Sequence, residues 1–362
     1  MSYVAVKGGS QAIGAAKKFL HDMLSPVWKL DDGDLRDGLT FAIDRIMGEG
    51  ALYAPKLALE ALKRAGGDVL EASIYLRAHR SSCQRIGNAA IVESAKMRLI
   101  RRISATFKDI SGGQLLGPSS DYEVRLLGRE SGSPTTDHLL EASAITGRTD
   151  DHTTIVLASA LQPLRDKDMI MELPNLEEKP HDVTRTFPLP PYPRSAIMQI
   201  MARGETGAML AFSYTSMRGY GDVHPTIGDL RLGTLKITFI HPFTNRSVAI
   251  GEIRVTACET VGTFVRSPVD GEMRLATGYG FCLGYNETKA ISMSILDLAM
   301  NYAGFSVGGT SLATEPEMII HHVDAIESMG FANHFKLPHY VTFQADIQVY
   351  EKARRQEEGK NG

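Results

Sequence analysis

Two histidines and a lysine lie close together near the C-terminus, in the stretch Asn333-His334-Phe335-Lys336-Leu337-Pro338-His339-Tyr340. The five-residue step from His334 to His339 places the two rings neither on one helix face nor on one face of a straight strand. Because Pro338 favours an extended conformation at Leu337, the spacing predicts a bent loop that directs both imidazoles to one point. Neutral imidazole is a common zinc ligand, but two ligands do not complete a site. A metal site and two hydrogen-bonded structural histidines are both open at this stage.

A third histidine, His322, precedes this loop. Thr314 and Glu317 form a capping-box pattern, and Gly330 is a typical helix end, so the sequence predicts one helix between them. Helical spacing places His322 on the apolar stripe of this helix and turns His321 away from it. His322 is therefore either a hydrogen-bonded core residue or a third member of the histidine site.

Glycine-rich loops elsewhere in the chain also have the composition of ligand-binding turns. Gln114 lies in Gly112-Gly113-Gln114-Leu115-Leu116-Gly117-Pro118, which is either a hairpin turn or a loop that lets a ligand approach closely. A Gly-Tyr-Gly triplet occurs at 219–221 and again at 278–280, and we expect each triplet to form a turn just after a strand. Such turns suit recognition of a polar ligand, although hinge turns explain them as well.

The 362-residue chain contains 43% apolar and 22% charged residues and has a net charge of −3. These ordinary values give no support to a surface for nucleic acid or for an anionic membrane. We expect no membrane span and no signal peptide, because no apolar run is long enough and the N-terminus lacks the pattern. Cys83, Cys258 and Cys282 are far apart and odd in number, which fits a reducing cytoplasm. We interpret each as a small buried residue rather than a nucleophile.

The elements that must position these residues divide the chain into three parts. Residues 1–128 are predicted to be mostly helical, residues 129–193 to be an insertion followed by a proline-rich linker, and residues 194–362 to be mixed. In the first part we expect a strand at 3–6 and helices at 11–20, 34–47, 55–66 and 69–85. In the last part we expect helices at 195–203, 287–302 and 340–350, and strands at 209–212, 230–240, 247–259 and 272–277.

This order of elements predicts an α+β fold: a helical N-terminal region followed by a mixed half with antiparallel strands and flanking helices. The runs 230–240 and 247–259 are the clearest hairpin. No parallel βαβ fingerprint indicates a Rossmann-type domain.

Short motifs occur in a specific order from end to end. They are YVAVKGG at 3–9, RRISA at 101–105, KDI at 108–110, GGQLLGP at 112–118, RGYG at 218–221 with HP at 224–225, GYG at 278–280, KLPHY at 336–340 and FQA at 343–345. In this order they resemble the I-subunit family (PhnI) of the bacterial carbon–phosphorus lyase core complex. Departures lie mainly in 18–40 and 129–190 and leave the site-like loops intact.

The resemblance implies a subunit of the system with which bacteria use phosphonates as phosphorus. With partner subunits G, H and L, it implies displacement of adenine from ATP by a phosphonate to give ribose 1-phosphonate 5-triphosphate. It also implies nucleosidase activity of the chain alone, and a cytoplasmic core of G, H, I and J with two copies of each. The radical iron–sulfur chemistry belongs to J, so no cofactor-binding cluster is expected on this chain.

The resemblance also assigns roles to particular residues. The paired zinc-binding histidines of the family match His334 and His339, at the interface with J, and His322 is a candidate further ligand. Breaking an N-glycosidic bond of a triphosphate requires cations, backbone N–H groups and a proton donor. The candidate substrate-binding residues are Gln114, Arg218, Gly219, Tyr220, Gly278, Tyr279 and Lys336. Asp222 and Glu252 are candidate acids, with structural roles as the alternative, so the catalytic acid is unassigned.

Two other functions remain to be compared with the enzyme. The chain is alternatively a non-catalytic scaffold that presents the histidine loop to J. A free-standing zinc hydrolase is disfavoured, because no HExxH-like spacing supplies ligands and a general base together. Whether base displacement occurs at the histidine loop is open.

Overall fold

The fold combines a helical N-terminal region with a four-stranded sheet and flanking helices. The computed structural model describes residues 9–122, 126, 156–172, 179–218, 224–302 and 311–359. The helices are α1 (Gly9–Trp28), α2 (Asp32–Gly38), α3 (Thr40–Gly50), α4 (Pro55–Arg64), α5 (Val69–Ser82), α6 (Gln162–Arg165), α7 (Arg194–Arg203), α8 (Thr206–Met217), α9 (Glu287–Asn301), α10 (Pro316–His322), α11 (Ala325–Phe335) and α12 (Tyr340–Glu358). The strands are β1 (Arg98–Ile103), β2 (Thr226–Ile240), β3 (Ser247–Arg266) and β4 (Met273–Leu283).

The sheet is antiparallel throughout, in the order β1-β2-β3-β4. Strands β2 and β3 pair from Thr226 opposite Val261 to Ile240 opposite Ser247, so the predicted hairpin is confirmed. Together with the helices on either side of it in sequence, this sheet confirms the α+β class. Among the described residues, no helix combines the length and apolar character that a bilayer span requires.

The helical region has its own small core, built from α3, α4 and α5. Ile46 and Met47 of α3, Leu62 of α4 and Leu76 of α5 are buried together. Asp68 starts α5, since its carboxylate accepts hydrogen bonds from the backbone N–H groups of Leu70 and Glu71. The strand expected at 3–6 lies outside the described residues.

Helix α9 covers one face of the sheet at a very short distance. Cβ atoms built at Gly278 and Gly280 would lie 1.9 Å and 2.0 Å from the backbone oxygens of Ser294 and Ala290. Both glycines therefore permit the backbones of β4 and α9 to approach each other. The expectation of a turn at 278–280 is wrong, because the triplet lies within β4 and the strand continues to Leu283.

Two further predicted elements differ from the structure. Residues 209–212, expected as a strand, lie in α8, where the Glu205 carboxylate caps the helix by accepting from the backbone N–H of Ala208 at 2.6 Å. The single helix expected from Thr314 to Gly330 is two helices, α10 and α11. It breaks at Asp324, whose carboxylate accepts from the backbone N–H of Ile326 and so starts α11.

The cysteine interpretation holds for two of the three residues. Cys258 and Cys282 are buried, and burial raises the pKa of their thiols to about 12 and about 11. Neither thiol forms a thiolate readily at neutral pH. Cys83 is exposed at the end of α5, so its predicted burial is wrong.

The last two helices and the turn between them, Ala325–Glu358, form what we term the C-terminal arm. Neither α11 nor α12 contains a buried residue. The arm exposes a set of large apolar side chains to solvent. They are Phe331, Phe335, Leu337, Tyr340, Val341, Phe343, Val349 and Tyr350. A monomer gains nothing by exposing so many apolar residues on one segment, so the arm has the character of an interaction surface.

Candidate functional site

The two histidines of the arm meet at the turn between its helices. His334 lies in the last turn of α11, and His339 lies just before α12. Their Nε2 atoms are 3.2 Å apart, and the ring centroids are 4.8 Å apart with the planes nearly perpendicular. The prediction that this stretch bends and brings both rings to one point is therefore confirmed.

The His339 tautomer follows from its other ring nitrogen. Nδ1 lies 2.6 Å from the backbone carbonyl oxygen of Leu337, which only accepts, so Nδ1 carries the proton. In the neutral ring the lone pair is then on Nε2, which faces His334. A backbone carbonyl that fixes an imidazole in this way is the usual arrangement behind a metal ligand.

The spacing of the two Nε2 atoms fits one zinc ion. Zn–N bonds of about 2.0–2.1 Å at the tetrahedral angle separate two ligand nitrogens by roughly 3.3 Å. The 3.2 Å separation of this pair is close to that distance. Within the described ranges, no group of three or more His, Cys, Asp or Glu residues is arranged to hold a metal. In the described part of the chain, His334 and His339 are thus two candidate zinc ligands, and a hydrogen bond between the two rings accounts for the same separation.

The structure does not bring His322 to the pair. His322 ends α10, is exposed, and places Nδ1 2.9 Å from the Met318 carbonyl oxygen. Its expected place on a buried stripe is wrong, since the helix breaks at Asp324 and the ring turns outward. Helix α11 lies between His322 and His334 and rises about 14 Å from Ala325 to His334.

The predicted phosphate-binding cations lie at helix ends. Lys336 caps the C-terminal end of α11, with Nζ 3.1 Å from Asn333 Oδ1, and it is exposed beside the histidine pair. Arg218 follows α8, is exposed, and donates from Nη1 to the Tyr214 hydroxyl at 3.1 Å. Gly219, Tyr220 and Asp222 lie outside the described residues.

Gln114 is bound into its own loop. Its Oε1 accepts from the backbone N–H of Ser104 at 3.1 Å, and its Nε2 donates to the carbonyl oxygens of Phe107 and Lys108 at 3.1 Å and 3.0 Å. Both amide hydrogens are thus used to connect residues 104–108 to residue 114. Gln114 therefore has a structural role in this loop, which was not expected from its position in a turn.

Tyr279 and Glu252 both have partners within the sheet. The Tyr279 backbone N–H donates to Asp297 Oδ2 at 2.8 Å, and its ring packs against Met97 and Val255 on the face opposite α9. Burial raises the pKa of the Tyr279 hydroxyl, and a hydrogen bond with Ser94 partly offsets that rise. Glu252 accepts from Arg98 at 3.1 Å and from Thr234 at 3.3 Å on an exposed part of β3. These contacts give both side chains structural roles in the sheet.

The adjacent arginines of β1, Arg101 and Arg102, connect the loop at 111–118 to the sheet from opposite faces. Arg102 donates from Nε and Nη2 to the two oxygens of Asp229, at 3.1 Å and 3.0 Å, and also to the carbonyl oxygen of Ser111. Burial raises the pKa of Asp229, but hydrogen bonds from Arg102 and Arg231 more than offset this and leave it lowered. Arg101 and Arg102 are each 1% exposed, so the ion pairs that they form lie at buried guanidinium groups.

Glu287 is a perturbed carboxylate that the sequence did not single out. Its Oε1 accepts from Arg101 Nε at 2.6 Å, and Arg101 Nη2 also donates to Asp121 at 2.8 Å. Burial raises the pKa of Glu287, although Arg101 opposes the shift. An acidic residue is favourable in the first turn of a helix, so the sequence around Glu287 accounts for it without a partner. Only the fold shows that Glu287 pairs with Arg101, 186 positions away.

Comparisons with known proteins cover nearly the whole chain. A family model described as "Bacterial phosphonate metabolism protein (PhnI)" matches residues 2–357. A putative C-P lyase subunit protein HtxH from Stutzerimonas stutzeri is 41% identical, over 96% of this chain and 94% of its own. Two proteins named alpha-D-ribose 1-methylphosphonate 5-triphosphate synthase subunit PhnI are also similar. The one from Rhizobium meliloti is 36% identical over 99% and 98% of the two chains, and the one from Escherichia coli is 35% identical over 98% and 99%.

Proposed function

The chain belongs to the PhnI family of bacterial phosphonate metabolism proteins, and we propose that it is a subunit of a ribose 1-phosphonate 5-triphosphate synthase. The observation that carries this proposal is its similarity, over at least 98% of each chain, to two relatives named as subunits of such a synthase. In the proposed reaction a phosphonate oxyanion displaces adenine from C1 of the ribose of ATP. The nucleosidase reaction, proposed for the chain alone, uses water in place of the phosphonate.

The proposed reaction places definite requirements on the protein. Positive charge develops on the ribose ring and negative charge on the departing base, while the triphosphate carries negative charge throughout. Arg218 and Lys336 are exposed cations that could bind phosphate oxygens. Gln114 and Tyr279 would act indirectly, since their polar groups already hold the loop and the sheet.

For the histidine pair we propose half of a shared zinc site at a subunit interface. The 3.2 Å separation of the two Nε2 atoms and the exposure of both rings support it. Bound zinc would supply a Lewis acid there. The ligands that this part of the chain does not supply would come from water, substrate or a partner subunit.

The proposed partners are the G, H, J and L subunits, with two copies of this chain in a two-fold cytoplasmic core. We propose J as the neighbour of the C-terminal arm, and the exposed apolar residues of the arm support a subunit contact there. Phe335, for example, is 65% exposed and lies beside both histidine rings. A partner surface that covered them would bury the apolar area that the isolated chain exposes.

The test is to purify the chain alone and with G, H and L, and to measure adenine release from ATP and bound zinc in the same samples. We expect slow adenine release by the chain alone, and a phosphonate-dependent ribosyl product when the partners are added. A well-folded chain that shows neither activity, alone or with the partners, would exclude the enzymatic proposal.

The second candidate function is a scaffold that presents the histidine pair to J. The exposed arm favours it, because its apolar residues suit binding rather than catalysis. The variants His334→Ala and His339→Ala separate the two functions. A pure scaffold shows no base release in any form, whereas a chain with both functions keeps base release in these variants and loses carbon–phosphorus cleavage by the assembled complex.

A further inference from the structure

Three arginines come together where α5, the end of α7 and the start of α11 meet. Arg77 donates from Nη1 to Asp324 Oδ2 at 2.5 Å, and from Nη2 to the backbone oxygen of Arg203 at 3.3 Å. Arg203 Nε lies 3.8 Å from the same Asp324 oxygen. Arg80 follows Arg77 by one turn on α5. Two guanidinium groups therefore share one carboxylate, with a third guanidinium beside them.

Buried donors without acceptors also occur at this junction. Among the described residues, the buried side-chain polar atoms that lack a hydrogen-bond partner are Arg77 Nε, Arg203 Nε and Glu49 Oε2. Arg77 connects all three residues, because it also donates to the backbone oxygens of Glu49 and Arg203. Buried N–H groups normally have partners, so two such donors in one place indicate that an acceptor from outside the protein binds there.

Arg80 has no carboxylate within 4 Å among the residues the structure describes. Its acidic neighbour, Asp182, is paired with Arg85 at 2.5 Å and with Arg185 at 3.7 Å. Burial and the charges of Arg77 and Arg85 lower the pKa of Arg80, although Asp182 opposes them. Burial and the charge of Arg77 likewise lower the pKa of Arg203. Burial is thus the main cause of both shifts, and neighbouring guanidinium groups add to it.

A purely structural role at the helix ends does not fully account for Arg80 and Arg203. Arg80 and Arg203 lie in the last turns of their helices, where the helix dipole favours a cation. That effect stabilises the charge but leaves the guanidinium N–H donors without acceptors. Glu327 acts on Arg203 only at longer range, with no ion pair to it within 4 Å among the described residues.

We propose that Arg77, Arg80 and Arg203 form a binding site for a dianionic oxyanion of the phosphate class. Among the described residues, Asp324 is the one carboxylate within 4 Å of these three guanidinium groups, which leaves Arg80 and the Nε donors of Arg77 and Arg203 for an added anion. Guanidinium groups present paired N–H donors in the geometry that phosphate oxygens accept. The side chains of Arg77 and Arg203 are 15% and 18% exposed, so the site is largely enclosed but reaches solvent. Free phosphate and the end of a polyphosphate chain share this chemistry.

Calorimetric titration of the full-length chain tests this inference. Inorganic phosphate and tripolyphosphate are titrated at constant ionic strength set with sodium chloride, into wild type, Arg80→Gln and Arg203→Gln. We expect each substitution to weaken binding by about tenfold or more, since each removes charge-assisted hydrogen bonds. Arg36→Gln, which alters an exposed arginine paired with Asp37, is the matched control and should bind as wild type does.

Melting temperatures make the test independent of folding defects. Because Arg80 has no ion pair within 4 Å, Arg80→Gln should melt like wild type in phosphate-free buffer. Added phosphate or tripolyphosphate should raise the melting temperature of wild type and not that of Arg80→Gln.

The ligands also identify the source of the anion. Binding of free phosphate supports a free-anion site, and binding of tripolyphosphate and ATP without phosphate supports a polyphosphate site. The inference is overturned if wild type binds neither phosphate, nor tripolyphosphate, nor ATP. It is also overturned if Arg80→Gln and Arg203→Gln bind these ligands as wild type does. These are binding measurements, so the result does not depend on the proposed synthase activity.

Discussion

The Nε2 atoms of His334 and His339 face each other at 3.2 Å across the turn between α11 and α12. With Nδ1 of His339 donating to the Leu337 carbonyl oxygen, the Nε2 of the neutral ring presents a lone pair to its neighbour. A neutral His334 can complete this contact by donating from its own Nε2–H, and zinc can complete it when both Nε2 atoms present lone pairs. The 3.2 Å separation is compatible with both arrangements.

Zinc content should depend on this pair and not on His322. Either His334→Ala or His339→Ala should remove the zinc bound to the complex with J, because each substitution removes one of two adjacent ligand nitrogens. His322→Ala should retain zinc, since His322 is not grouped with the pair among the described residues and places its Nδ1 against the Met318 carbonyl oxygen. Metal analysis of the purified complexes measures both outcomes. Retention of zinc in His334→Ala would mean that the metal lies elsewhere.

The contact between β4 and α9 predicts a large effect of one methyl group. Gly280→Ala should destabilise the chain by at least about 2 kcal/mol, because the new Cβ would lie in conflict with the Ala290 oxygen and the helix would have to move. Urea unfolding measures the change. Gly14→Ala in α1 is the control, since no atom lies within 4 Å of its added Cβ. Equal stability of the two variants would show that the helix shifts at no cost.

The buried pair of Arg102 and Asp229 should matter far more than a surface pair. Arg102→Met should cost about 2 kcal/mol or more, because it removes one of the two buried guanidinium partners of Asp229 and leaves the Ser111 carbonyl oxygen without its donor. Arg231 remains bound to Asp229 and to the Ala158 carbonyl oxygen in this variant. Arg36→Met, which breaks the exposed pair with Asp37, should have little effect on stability. A comparable loss in both variants would contradict the role assigned to Arg102.

Stability should depend on pH through Asp182. A hydrogen bond from Thr184 and the charge of Arg85 lower the pKa of Asp182 to about 2, although burial opposes the shift. Because the folded-state pKa is below the unfolded value, the stabilisation is complete above about pH 4 and is lost as the pH falls towards 2. Asp182→Asn should therefore reduce stability at pH 7, by less than about 1 kcal/mol, and the difference from wild type should shrink below pH 4. Chemical unfolding at several pH values provides the measurement, and a difference that grows at low pH would be the wrong sign.

Partner binding should depend on the apolar surface of the C-terminal arm. Phe343→Glu should reduce co-purification with J and leave the melting temperature of the isolated chain unchanged, because Phe343 is 63% exposed and has no core contact to lose. Phe19→Glu is the control, since Phe19 is 69% exposed on α1 and tests a general loss of apolar surface. Normal recovery of J with Phe343→Glu would place the interface elsewhere.

Local signals predicted the elements that depend on neighbouring residues. The β2–β3 hairpin was predictable because its two strands follow each other in sequence and are joined by a short turn. The strand predicted at 209–212 was wrong because an apolar run alone does not distinguish a strand from a helix. Glu205 caps the helix that contains these residues. The turn predicted at 278–280 was wrong because Gly278 and Gly280 lie in a strand and permit the close approach of a helix that comes later in the chain.

The site could be predicted only where its members are close in sequence. His334 and His339 are five residues apart, and their convergence followed from the bend at Pro338. The partners of Arg101, Arg102 and Gln114 were not predictable, because Glu287 and Asp229 reach the loop region from distant elements. His322 was misplaced because a helix break at Asp324 reverses which face is buried, and a capping aspartate inside a helical pattern is a weak signal.

Asp324 connects two parts of the molecule that have been described separately. The same carboxylate starts α11 and binds Arg77 of the N-terminal helices, so α11 is hinged on an ion pair, with the histidine pair at its far end. A tilt of about 5° at that hinge would move His334 by roughly 1 Å, given the length of the helix. That displacement is half of a zinc–nitrogen bond length. Loss of the ion pair between Arg77 and Asp324 would therefore move His334 and His339 together, relative to the N-terminal helices.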